Sequence, residues 1–257
     1  MRIGIISDLH QEHFQLSSVL LTSNADIYLF AGDIDNDPKR AYNWMRKVSG
    51  GKPVVYVPGN HCYFGHNYVH HLKRMKALYA GTNIKLGHRL KWEYRGITFL
   101  ACTLWTDYSA GLETQTQAMN RANNKRFDLL NIRMPDPSVK GVSRLLRAED
   151  TVKFHSEDMA WLKKELDSID GPTVIITHYA PSVRSVYKDF VDSPIVPQYA
   201  SHLDHFILAN PQISHFIHGH IHQPVDYYIG ETRVVSNPSP PNKLIKRIKV
   251  IDVQAAS

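Results

Sequence analysis

The sequence predicts an α/β fold with a mixed sheet, or with two sheets stacked on each other. Three observations carry this. Over the first eighty or so residues, short runs of branched and aromatic side chains alternate with amphipathic segments, as in βαβ units. The same buried-strand pattern resumes near Pro172 and ends in a β-rich tail. At 257 residues and 43% hydrophobic composition, the chain is long enough to bury one sizeable core.

Arg2–Ser7, Asp26–Ala31 and Pro53–Val57 read as buried strands, each short and bounded by turn residues. Between them Leu16–Ser23 and Pro38–Val48 read as helices, with Pro38 suited to a first turn. Tyr68–Tyr79 reads as a further helix, and Arg89–Tyr94 with Ile97–Cys102 as a hairpin around Arg95-Gly96. Thr103–Asp150 breaks the pattern, with a Gln/Asn-rich stretch from Glu113 to Asn124 and no evident strand. A segment this long between core elements reads as a lid-like insertion at about 103–150, in a single domain spanning 1–257.

Thr151–Asp167 is the clearest helix: Val152, His155, Met159, Leu162 and Leu166 share one face, which makes His155 a buried histidine bonded to a neighbour. Pro172–Thr177 and Gln212–Ile217 read as buried strands. Val225–Ile229, Thr232–Ser236 and Arg247–Val253 read as consecutive antiparallel strands, with a tight turn at Gly230-Glu231.

Composition narrows the function classes. No stretch approaches the roughly 18 apolar residues of a membrane span, and Met1-Arg2-Ile3-Gly4-Ile5 enters a strand at once, leaving no room for a signal peptide. Only Cys62 and Cys102 occur, too few for a disulfide framework, so a cytoplasmic protein without a membrane partner is expected. The formal charge of +6 suits an anionic substrate but speaks mainly to solubility. The insertion balances seven basic residues against six acidic ones, so a nucleic-acid partner is left open but not indicated. Nothing in the sequence speaks to oligomeric state.

Five islands follow the apolar runs: Asp8-Leu9-His10, Gly32-Asp33, Gly59-Asn60-His61, His178, and Gly219-His220-Ile221-His222. Functional groups in open α/β sheets gather at the carboxyl ends of strands. Asp-x-His and His-x-His spacing puts alternate side chains on one side of an extended segment. Taken singly, an Asp after Gly is ordinarily a turn or a cap, and Gly-Asn an ordinary turn dipeptide. Five such islands in order, all at strand ends, exceed turn duty. Hard oxygen donors mixed with imidazoles suit a pair of divalent first-row metals, a combination made for hydrolysing phosphate esters. Other residues carry less. His218 reads equally as a support for a ligand or as a structural histidine. Tyr63, Trp105, Asp107 and Tyr108 follow strand ends, where a pocket lining competes with core packing as the reading for the aromatics. His66, His70 and His71 read as helix-surface residues, and Cys62 as an inert thiol.

Together the islands resemble the signature of the calcineurin-like metallophosphoesterases, from Asp8 to His222. The resemblance implies a four-layer α-β-β-α sandwich with two stacked mixed sheets and a dinuclear metal site at the strand ends. It implies that Asp8, His10 and His222 bind one metal, that Asn60, His178 and His220 bind the other, and that Asp33 bridges them. His61, with Asn60 beside it at the substrate, is implied to contact the phosphate and help the leaving group depart. Two divalent ions are implied, Mn2+ or Fe2+/Zn2+ foremost, with Co2+ or Ni2+ also accommodated, activating a bridging hydroxide for in-line attack.

The pattern departs from relatives at Cys62, where many carry Asp or Glu. It departs again at Asn36 and Asp37, where protein phosphatases of the superfamily carry Asp and then Arg. That argues against a Ser/Thr protein phosphatase and leaves Asp35 or Asp37 to orient His61. The expected substrate is a phosphodiester or a small phosphorylated metabolite, its identity set by the insertion. A nuclease acting on polynucleotides is the first rival. A non-catalytic metal-binding scaffold is the second, disfavoured because such scaffolds lose ligands or the histidine that this chain retains.

Overall fold

In the computed structural model, the described residues are 1–13, 18–20, 24–125, 127–239 and 245–255. In chain order the first elements are β1 (Arg2–Ile6), β2 (Ser18–Leu20), β3 (Ile27–Phe30), α1 (Pro38–Ser49), β4 (Val54–Tyr56), α2 (Tyr68–Tyr79), β5 (Ile84–Leu86), β6 (Leu90–Tyr94) and β7 (Ile97–Ala101). Next come α3 (Gln115–Lys125), α4 (Phe127–Asn131), β8 (Arg133–Pro135), β9 (Ser143–Leu145) and α5 (Ala148–Leu166). The chain ends with β10 (Thr173–Ile176), α6 (Asp204–Leu208), β11 (Ile213–His218), β12 (Val225–Ile229), β13 (Thr232–Ser236), β14 (Ile245–Arg247) and β15 (Lys249–Asp252).

Two mixed sheets dominate. One has five strands in the order β15-β1-β3-β4-β5, and the other six in the order β12-β13-β11-β10-β7-β6. Strand alternation explains how they layer. Ile3, Ile5, Ile27, Leu29 and Val55 of the first sheet share a buried cluster with Phe99, Val174, Ile176, Ile217 and Val235 of the second. The intervening residues face outwards onto helices. Phe30 lies 5.3 Å from Trp44 of α1, and Tyr56 lies 5.8 Å from Tyr79 of α2, measured between ring centroids. On the far side α5 is tied to the second sheet's strand ends: Asp158 accepts from the Leu104 amide at 3.0 Å, and the Leu166 carbonyl accepts from Gln212 at 3.1 Å. Helix, sheet, sheet and helix give the four layers.

The central strands of both sheets are parallel, and this sets the site. β1, β3 and β4 run parallel side by side, as do β10 and β11, so each group presents its carboxyl ends along one edge. α1 begins where its sequence says it should. Asp37 caps it, accepting from the amides of Lys39 and Arg40 at 2.8 and 3.0 Å, with Pro38 in the first turn.

Four expectations need correction. Within Leu16–Ser23, the described residues Ser18–Leu20 form a strand paired in parallel with β14, and the rest of that segment lies outside the described residues. A short Ser/Val-rich run has little helical stability of its own, and a neighbouring strand offers it ladder partners. The insertion is ordered into α3, α4 and the β8–β9 hairpin, where no strand was evident. Its Ala118, Ala122, Leu129 and Ile132 belong to the same buried cluster as Leu162 of α5. β15 does not continue the β12–β13 hairpin; it crosses to the first sheet and pairs antiparallel with β1. His71 is buried, 4% exposed, because it lies on the face of α2 that also buries Leu72 and Met75.

Candidate metal centre

At the ends of β1, β3 and β11 the chain turns sharply. Asp8, His10, Asp33, His220 and His222 all have left-handed backbone, with φ of 56, 47, 52, 66 and 55°. These are half of the ten described non-glycine residues with positive φ, so strain is concentrated at this edge. Asp, Asn and His tolerate that region best, and the turn aims each side chain back across the sheet edge. Two contacts fix the turns to one another: the amide of Asp8 donates to the Gly32 carbonyl and that of His10 to the Asp33 carbonyl, both at 3.0 Å.

The side chains converge in two connected groups. In the first, His10 Nε2 lies 3.1 Å from His222 Nε2, and His222 Nε2 lies 3.5 Å from Asp8 Oδ1. In the second, His178 Nε2 lies 3.1 Å from Asp33 Oδ2 and 2.8 Å from Asn60 Oδ1. Three sets of donor atoms, Asp8/His10/His222, His10/Asp33/His61 and Asp33/His178/His220, each fall within 4.8 Å of one another. Asp33 joins the groups, since it belongs to the second set and the third.

The hydrogen bonding tests whether divalent cations fit. His178 Nδ1 is 2.8 Å from the Ala31 carbonyl, which can only accept, so Nδ1 carries the proton. In a neutral ring Nε2 then offers a lone pair to the two oxygens of Asp33 and Asn60, an arrangement that needs positive charge between them. The chain's own groups respond the same way. Burial opposes ionisation of Asp33, but the charges of His178 and His61 overcome it and hold the carboxyl well below its usual range. Burial likewise lowers His178, and the Asp33 charge outweighs it and lifts the imidazole upwards. A mixed nitrogen and oxygen set under such tension fits first-row divalent cations, which displace that proton.

Glycine is required beside these ligands for space. A Cβ on Gly32 would stand 2.1 Å from His178 Nδ1, and one on Gly59 would stand 2.2 Å from Asp33 Oδ1. Asp33 and His178 occupy the volume that any side chain there would need.

His61 stands at the mouth, its side chain 23% exposed, with its amide donating to Asp33 Oδ1 at 3.0 Å. Its Nδ1 is 3.2 Å from Glu12 Oε1, and the same carboxylate oxygen is 3.1 Å from His10 Nδ1. Burial would raise Glu12, but its bonds to His10 and His61 bring the carboxyl down to about 2. Sequence reasoning missed Glu12 and offered Asp35 or Asp37 instead. Neither does this work: Asp35 pairs with Arg40 at 2.8 Å and Asp37 caps α1. One signal was available, for Asp8-x-His10-x-Glu12 extends the every-other-residue pattern by one step.

The weaker candidates resolve plainly. Cys62 is buried 2.9 Å from Tyr56 Oη and 3.9 Å from Asp33 Oδ1, and burial pushes its thiol up, which makes it inert. His218 braces the loop, with Nδ1 2.9 Å from the Gly219 carbonyl and Nε2 2.9 Å from Ser185 Oγ. Tyr63, Trp105 and Tyr108 are core residues, and Asp107 accepts from the Ser109 amide. His155 is buried and bonded to the Leu104 carbonyl at 3.0 Å, as the helix face implied.

Beside the centre lies an apolar cavity of about 180 Å³, lined by Val186, Tyr187, Phe190, Ile195, Tyr199 and Ile221 among others. Tyr187 Oη donates to the His222 carbonyl at 3.2 Å, and the Tyr199 ring stacks on His220 with centroids 5.0 Å apart.

A family model for the calcineurin-like phosphoesterases matches residues 1–224. The chain belongs to that family. Members use divalent metal ions, and this one is a hydrolase of phosphoric ester bonds. A relative described as uncharacterized protein L509 of Acanthamoeba polyphaga mimivirus is 26% identical over 243 residues, covering 84% of this chain and 83% of its own. Among solved structures, the phosphopantetheinyl hydrolase PptH of Mycobacterium tuberculosis superposes with a TM-score of 0.67 at 17% identity, covering 93% of this chain and 89% of its own. TT1561 of Thermus thermophilus superposes at 0.52 with 14% identity over the same shares. At these identities the structures speak for the fold. Among the described residues no helix is long and apolar enough to cross a membrane.

Proposed function

We propose that this phosphoesterase hydrolyses a phosphodiester or a small phosphorylated metabolite over two divalent cations. Asp8, His10 and His222 would hold one, Asn60, His178 and His220 would hold the other, and Asp33 would be shared by the two sets. The observation that carries this reading is the buried convergence of His178 Nε2 with Asp33 Oδ2 at 3.1 Å and Asn60 Oδ1 at 2.8 Å, one nitrogen and two oxygens gathered at a single point. Bound divalent cations supply Lewis acidity toward phosphoryl oxygens and lower the pKa of water.

The chain's own residues do the rest. Asn60 contributes an oxygen without charge, which leaves the centre positive enough to attract a phosphate. Glu12 holds His61 through Nδ1, and His61, part-exposed at the mouth of the centre, would give a proton to the leaving oxygen as the P–O bond breaks. Glu12 acts through His61 and His10 and is a positioning residue. Mn2+, Fe2+ or Zn2+ suits the donors, with availability deciding among them. Cys62 and Cys102 are both free and buried, which fits a reducing compartment, and the reading assigns the chain to the cytoplasm.

The experiment is metal analysis of purified protein, followed by assay of phosphodiester and phosphomonoester reporters after reconstitution with Mn2+, Fe2+, Zn2+, Co2+ or Ni2+. Metal-dependent hydrolysis is expected, falling more than about 100-fold in Asp33→Asn. A protein that binds none of these ions would sink the assignment.

A further inference from the structure

We propose that the apolar cavity beside His220 and His222 is a subsite for the organic group of the ester, and that this group is compact and apolar, about the size of a phenyl ring. The proposal rests on the phosphoesterase reading above and names the substrate class for that site.

Three observations carry it. The first is continuity with the centre. Ile221 lines the cavity and is the residue between His220 and His222, Tyr199 stacks on His220, and Tyr187 is bonded to the backbone of His222. A group seated there adjoins both of the histidines proposed to hold the cations. The second is size. The cavity is about 180 Å³, close to the roughly 150 Å³ of an apolar cavity that accepts benzene. The third is chemistry. No charged side chain lines the cavity, so nothing there serves a second phosphate of a polynucleotide. Around the mouth Tyr187, Phe190 and Ile195 are left 44, 52 and 40% exposed, apolar surface that a ligand of matching character would cover.

Burying a phenyl group is worth roughly a 10- to 100-fold gain in affinity. Methylphosphonate and phenylphosphonate share one anionic head and differ only in that group. Titration calorimetry on metal-loaded protein should find phenylphosphonate at least tenfold tighter. Ile195→Trp fills the cavity from an exposed position and should remove that advantage while leaving methylphosphonate unchanged. Phe190→Ala opens one wall and should reduce the advantage a few-fold. Equal affinities in the unaltered protein, or an advantage that survives both substitutions, would overturn the subsite and leave the phosphoesterase reading standing. Failure of both phosphonates to bind would overturn that reading and the subsite with it. Loss of binding to anionic phospholipid vesicles in Phe190→Ala, with phosphonate selectivity unchanged, would reassign the patch to a membrane surface.

Discussion

The two halves of the centre are built differently. On the inner side Asp33, Asn60, His178 and His220 are 1, 2, 0 and 7% exposed, and His178 is clamped by the Ala31 carbonyl. On the outer side Asp8 and His10 are equally buried, but the half is completed by His222, whose side chain is 42% exposed. The inner set is held by packing before any ion arrives. The outer set depends on one histidine at the surface. The lesson is that two halves of one candidate centre can differ in burial, one completed inside the fold and the other by a histidine at the surface.

His178→Ala is the most damaging way to break the contrast. It strips a partner from the fully buried Asp33 and should lose the inner ion, more than about 100-fold in activity and several degrees in melting temperature; retained metal content and unchanged melting would contradict the inner half as drawn. His222→Ala should lose only the outer ion. Activity should fall about 10- to 100-fold in ordinary buffer and recover with excess Mn2+, with the melting curve unmoved; no recovery would mean the halves are coupled. Glu12→Gln keeps the shape but weakens the hold on His61 and His10. About a tenfold loss in kcat at unchanged KM is expected, with inner-ion content retained; a purely structural Glu12 would move the melting curve instead.

The smallest effect lies outside the centre. Burial holds His71 neutral, down to about 4 from 6.5. The unfolded chain therefore takes up that proton first, and stability present above pH 6.5 is lost as pH falls toward 4. In His71→Leu the acid-induced drop in melting temperature should be shallower than in the parent, and an identical slope would refute this account.

Most of the candidate centre was legible because its residues follow strands, and at the ends of β1, β3 and β11 the backbone leaves by a left-handed turn that Asp and His tolerate. Asp8, Asp33 and His220 are therefore visible as motif residues for the same reason that they are useful. Glu12 was not legible in that way. It lies beyond the motif in a loop, where a Glu reads as solvated; its spacing after Asp8 and His10 was the one sequence signal, and the approach of His61 reveals its role. A mixed sheet or two stacked sheets followed from runs such as Ile3–Ile6, buried on both faces, whereas the four layers were implied by the family resemblance. The crossing of β15 to the first sheet was invisible, since its residues alternate just as a third meander strand would. The segment 103–150 hid its helices because Gln/Asn-rich turns of helix carry little apolar periodicity. We read it as an insertion in a single domain, with the cavity formed by the 186–199 segment and Ile221 in place of the insertion as the selector of substrate.

The pairing of His10 with His222 across 212 residues has a consequence for biosynthesis. At translation rates of about 5–20 residues per second, the nascent chain carries Asp8 and His10 for roughly 10–40 s before His222 is made. Through that interval the outer half cannot exist, and any cation met by the emerging N-terminus is held by an incomplete set. On the two-cation reading, the outer ion would load late, governed by the ions surrounding the finished polypeptide and not by those present at the ribosome exit.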